Sequence, residues 1–145
     1  MPFDKFLLLS NWLATAFMTG VIWYVQVVHY PIFHRVRADF VPFHTAHTST
    51  TGRVVMVPML IELALAAWLV LRPPAWLPAA SVWVGLGLVL LVWAITFFVS
   101  VPLHERLAHG YDAAAVRRLV GTNWLRTVLW TLRLGLVTWW VGRLL

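Results

Sequence analysis

Four stretches of this chain, residues 6–30, 53–71, 79–101 and 124–141, are long and apolar enough to cross a bilayer, and they leave little chain between them. A span takes roughly 20 mainly apolar residues. Inside hydrocarbon each backbone N–H and C=O must be satisfied within its own segment, so stretches of this kind fold as helices. The expectation is an all-α, integral membrane four-helix bundle, one domain over residues 1–145. Composition points the same way, with 61% hydrophobic and 11% charged residues, where a soluble domain carries about 25% charged. Ten tryptophans suit interfacial belts, with Trp76, Trp83, Trp139 and Trp140 gathered near one face. The first stretch follows Lys5 much as a signal core would. It is longer than the roughly 7–15 residues of such a core, however, and no small-residue cleavage site follows, so it reads as a retained helix.

Charge is unevenly spread. Arg35, Arg37, Arg53, Arg106, Arg117, Arg118 and Arg126 flank the two longer connections, whereas the other face offers Lys5, Arg72 and Arg143. Positive-inside reasoning places the long connections in the cytoplasm and both termini on the opposite side. The basic balance is a poor argument for nucleic acid, because no extended polar domain exists to carry a binding surface. With no cysteine, disulfides, thiolate metal sites, iron–sulfur clusters and thiol redox chemistry are excluded.

The proline-rich link Leu71-Arg72-Pro73-Pro74-Ala75-Trp76-Leu77-Pro78 divides the chain into two helical hairpins. The halves resemble each other: Tyr30-Pro31-Ile32-Phe33-His34-Arg35 is echoed by Val101-Pro102-Leu103-His104-Glu105-Arg106. Thr51-Gly52-Arg53 likewise sits where Trp124-Leu125-Arg126 sits, which allows two parallel hairpin repeats with a site between them. Asp39 and Asp112 mark helix starts that run on into the second and fourth spans. Pro58 and Pro102 are expected to bend the helices that contain them.

Polar residues inside the spans fall on helical stripes: Asn11, Thr15, Gln26 and His29 on the first, Thr96, Ser100 and His104 on the third, Asn123, Arg126 and Arg133 on the fourth. Glu62 and Arg133 lie at matching depth, so an intramembrane ion pair is expected, either as a structural clamp or as part of a relay.

All six histidines fall around the two long connections: His29, His34, His44 and His47 at the first, His104 and His109 at the second. His44-x-x-His47 puts two imidazoles on one helix face, and His29 and His104 can complete a set from neighbouring helices. Imidazoles without thiolates favour copper, iron or zinc over magnesium or calcium, and a haem between two histidines is an alternative. His34 and His109 are the weaker candidates, since a five-residue spacing splays them away from His29 and His104. An interfacial histidine cluster without metal explains the same residues.

The segment Val99-Ser100-Val101-Pro102-Leu103-His104-Glu105-Arg106-Leu107, with Asn123-Trp124-Leu125-Arg126-Thr127, resembles the anthrone oxygenase-like family of small four-span membrane proteins. The resemblance covers about 30 residues and is carried by Pro102, Leu103, Asn123 and Arg126. His104 departs from it, standing where the family has asparagine. It implies a four-helix fold and, for some members, oxidation of an aromatic anthrone by molecular oxygen. Three functions follow as expectations. The first is a membrane oxidoreductase in which His29, His44, His47 and His104 hold a metal, while Asn123 and Arg126 orient a lipophilic or anionic substrate such as a quinone or aromatic ring. The second is a small transport or metal-handling protein using Glu62 and Arg133. The third is a non-catalytic bundle or subunit, with a homo-oligomer also open.

Overall fold

The computed structural model describes residues 3–144 and is helical throughout, apart from its connections. Four long helices follow in order: α1 (Phe3–Ile32), α2 (Phe40–Leu71), α3 (Ala79–Leu107) and α4 (Ala113–Gly142). Among the described residues, α1, α2 and α3 are long and apolar enough to cross a membrane, the signature of a multi-pass membrane protein. The expected fourth span is not among them. Its helix forms, but Arg126 and Arg133 fall within the stretch and lower its apolarity. Both are buried against other helices.

Helices α1 and α3 each pack against both α2 and α4. The outer surface is apolar, with Leu13, Phe17, Val57, Leu90, Phe98 and Leu132 exposed, while Asn11, Thr15, Gln26, Glu62, Asn123 and Arg133 are buried. A water-soluble protein shows the reverse. In lipid, dispersion cannot discriminate an apolar inside from an apolar outside, so polar groups collect where they find partners. The polar stripes read from the sequence follow these inward faces, except at the end of the first, where Tyr30 is buried in place of the half-buried His29. Trp140, expected in an interfacial belt, is instead a core residue whose Nε1 donates to Ser81 Oγ at 3.1 Å.

Two helices carry a local widening. In α1 the Tyr30 N–H bonds to Val25 O, and in α3 the Val101 N–H bonds to Thr96 O, each closing an i→i+5 turn of π-helix. Each turn is followed at once by a proline, Pro31 or Pro102. A proline ring collides with the carbonyl four residues back and offers no N–H, and the wider turn relieves both defects without ending the helix. Pro58, by contrast, sits within an uninterrupted α2.

The connection ends are closed by apolar packing and a cap. Phe33, Phe40, Leu103, Leu107, Val116 and Leu119 form one core cluster there. Asp112 Oδ1 accepts from the Ala114 and Ala115 N–H groups at 2.8 and 3.0 Å and so starts α4. The equivalent Asp39 precedes α2 without a side-chain cap.

Candidate functional site

Two buried charges, Arg133 and Glu62, anchor a hydrogen-bonded network that reaches all four helices. Arg133 on α4 donates through Nε to Glu62 Oε1 on α2 at 2.7 Å, through one amino group to Gly85 O on α3 at 2.6 Å, and through the other to Asn11 Oδ1 on α1 at 2.8 Å. Glu62 Oε1 also accepts from Thr15 Oγ1 at 2.7 Å, and Oε2 from Trp130 Nε1 at 2.9 Å. One guanidinium therefore ties α4 to the other three helices. No open donor or acceptor of the pair is left facing a cavity, so the structural role among the two expected ones fits the geometry better.

Toward the connections a cavity of about 400 Å³ opens between α2 and α3. Its body is apolar, lined by Val55, Met56, Met59, Trp93 and Phe97, and its polar end carries Tyr30, His44, His47, Ser100, His104 and Arg126. At that end Tyr30 Oη lies 3.1 Å from His104 Nε2, and His104 Nδ1 lies 2.9 Å from His44 Nε2. The three groups thus form one hydrogen-bonded chain that uses both nitrogens of His104. Two proton arrangements satisfy it. If Tyr30 donates to His104, His104 donates to His44 and His44 carries its proton on Nδ1; in the reverse arrangement His44 Nδ1 offers a lone pair. That Nδ1 atom is buried without a partner, as is Nε2 of His29. His47 Nδ1 is engaged with Thr51 Oγ1 at 3.1 Å.

The fold brings His29, His44, His47 and His104 together and leaves the other two histidines apart. His47 stacks on His29 with ring centroids 4.5 Å apart and faces His104 at 5.6 Å. His29 lies on the far side of His47 and does not line the cavity. His34 sits in the turn after α1, and His109 is exposed beyond α3 with Nδ1 against Glu105 O at 3.0 Å. Two imidazoles sharing a tetrahedral metal at about 2.0–2.1 Å would hold their nitrogens about 3.3 Å apart. The His44–His104 contact at 2.9 Å is a hydrogen bond. Among the described residues no group of three or more His, Asp or Glu side chains has the arrangement of a metal site.

Arg126 reaches the cavity wall, whereas Asn123 stands behind it: Asn123 Oδ1 accepts from Arg126 at 3.2 Å, and its amide donates to Gln26 Oε1 at 2.8 Å. Tyr30 is the residue that sequence reasoning passed over. A regular helix continuing the stripe through Gln26 presents His29, but the π-turn delays the phase and turns Tyr30 inward, to 2% exposure. The available signal was the paired prolines, Pro31 and Pro102.

Comparison with protein families, curated proteins and solved structures returned no match.

Proposed function

We propose that the protein is an integral membrane four-helix bundle that oxidises a lipophilic ring compound, with its connections at residues 33–39 and 108–112 facing the cytoplasm. The single observation that carries this reading is the Tyr30–His104–His44 chain at the polar end of an otherwise apolar cavity. Pockets of this build hold a ring in the apolar part and fix its orientation by a few polar groups. A hydrogen-bonded imidazole pair can take a proton from a bound ring and pass it along its length. The resemblance to anthrone oxygenase-like proteins suggests the reaction: anthrone plus molecular oxygen yields anthraquinone plus water. The ring methylene loses two hydrogens and gains one oxygen, and the second oxygen leaves as water. On this reading the Tyr30 hydroxyl leaves His104 Nε2 to hydrogen-bond the developing ring oxygen, and the freed Nε2 accepts the methylene proton while His104 Nδ1–H stays on His44.

Oxygen uptake by proteoliposomes supplied with anthrone tests the proposal, with anthraquinone absorbance followed in parallel. Turnover above protein-free vesicles is expected, falling roughly 100-fold or more in His104→Ala. Uptake no faster than in empty vesicles sinks it.

A second reading places a transition metal on the histidines. It is favoured by the two buried, unpartnered ring nitrogens, His29 Nε2 and His44 Nδ1; binding through His44 Nδ1 leaves the His44–His104 hydrogen bond in place, whereas adding His104 Nδ1 as a ligand opens it. Elemental analysis of detergent-purified protein decides it. Stoichiometric copper or iron that disappears in the His44→Ala/His47→Ala variant supports the metal reading, and metal-free protein that takes up none from replete medium rejects it.

A further inference from the structure

We infer that the cavity takes an anionic amphiphile, a lipophilic body bearing an ionised oxygen, with Arg126 as the counter-charge of its head. The inference rests on the cavity being the ligand site and adds the charge of what fills it.

Arg126 is 8% exposed, and no carboxylate is among its contacts; the ionisable group that faces it is the Tyr30 phenol. It donates to Ser100 Oγ at 3.5 Å and to Asn123 Oδ1 at 3.2 Å, its guanidinium lies 5.3 Å from the Trp130 ring centroid, and its Nε is buried with no partner. The ion pairs among the described residues are Arg106–Asp112 and Arg133–Glu62, and neither includes it. Glu105, the one carboxylate on the cavity wall, is exposed and makes no ion pair with it.

The contrast with Arg133 carries the argument. Both arginines lie on α4, both are buried, and both stand in a stretch of bilayer length. Arg133 engages Nε and both amino groups and meets a carboxylate. Arg126 meets no carboxylate and borders open space. A buried cation in apolar surroundings is expensive unless paired. The cavity is the place from which the missing negative charge can come. Charge-assisted bonds from a guanidinium to an oxyanion are among the strongest hydrogen bonds a site can offer, and Met59, Trp93 and Phe97 accommodate the apolar remainder.

The test uses two naphthoquinones of similar size: lawsone, whose ring hydroxyl is ionised at neutral pH, and menadione, its uncharged methyl counterpart. Each is titrated into the full chain in phosphatidylcholine nanodiscs, reading quenching of tryptophan fluorescence with partition into empty discs subtracted. Lawsone is expected to bind roughly tenfold more tightly or better, about 1.4 kcal/mol. Arg126→Gln should abolish that preference, and Arg126→Lys should keep part of it. Equal affinities in the wild type, or a preference surviving in Arg126→Gln, overturn the inference. Should the glutamine variant fail to fold, acidifying wild-type samples until lawsone is uncharged decides the matter: a lost preference supports the inference, and a retained one overturns it. Gly52→Trp, which fills the cavity from a position with open space around its Cβ, separates the two kinds of failure. Menadione binding that this variant blocks, with no anion preference, overturns the charge assignment alone. Binding of neither quinone to the wild type overturns the cavity reading as well.

Discussion

A Cβ built on Gly85 would lie 2.5 Å from Cη2 of Trp140 and 3.4 Å from an amino nitrogen of Arg133. The absent side chain lets α3 approach α4 closely enough for the Gly85 carbonyl to accept from that guanidinium. The ring it would strike is buried and hydrogen-bonded to Ser81, so it cannot swing aside. Gly85→Ala should therefore destabilise the fold by about 1–3 kcal/mol, the usual cost of overpacking. Gly87→Ala, with nothing within 4 Å of its Cβ, should be close to neutral. Thermal unfolding of both variants in detergent checks the difference, and equal midpoints would remove Gly85 from the packing argument. At this scale composition was a sound guide to which residues are unusual: Glu62 and Arg133 stood out as charges in apolar stretches, while Arg126 was grouped with the arginines flanking the connections. The pairing of Arg133 with Glu62 was readable from their depth, but that Arg126 is buried with no carboxylate beside it was not, because that depends on side chains from other helices.

The extent of the helices was legible beyond the apolar stretches themselves. Asp39 and Asp112 mark the starts of α2 and α4, well before the apolar stretches they lead into. What periodicity could not supply was the phase after each π-turn, since a pattern that assumes one regular period places His29 where Tyr30 belongs. The cap at α4 makes its own prediction. Asp112 lies outside the spans, and its carboxyl is held below the usual carboxylate range by the Ala115 N–H first, then by the Ala114 N–H and the Arg106 guanidinium. A group with a depressed folded-state pKa contributes its stability above the unfolded value and loses it as pH falls through the folded one. The first turn of α4 should thus be protected from amide exchange at neutral pH and open on acidification, after correction for intrinsic exchange. Asp112→Ala should expose the Ala114 and Ala115 amides at neutral pH already. Identical protection in wild type and variant would mean that the carboxylate does not hold the turn.

Across the whole molecule, the matching depth of Glu62 and Arg133 was readable from residue counting, and the two side chains are in contact at 2.7 Å. Their value lies in connectivity rather than in attraction. Desolvating two charges costs about as much as their pairing returns, yet removing one partner strands the other. Glu62→Gln should cost about 3–5 kcal/mol, and adding Arg133→Met should recover much of that loss. Equilibrium unfolding in mixed micelles measures both, and a double variant no more stable than the single one would show that the charges matter individually. The repeated π-turn and proline, at Val25–Pro31 and Thr96–Pro102, suit the reading of two parallel hairpins, one contributing Glu62 and the other Arg133.

That division has a consequence for biosynthesis. Glu62 emerges from the ribosome 71 residues ahead of Arg133, a delay of roughly 4–14 s at about 5–20 residues per second. For that interval the first hairpin can offer Glu62 the Thr15 hydroxyl but neither the Arg133 guanidinium nor the Trp130 indole N–H. Final locking therefore cannot begin until the last helix has been made, and anything that releases the first hairpin into lipid early releases it incomplete.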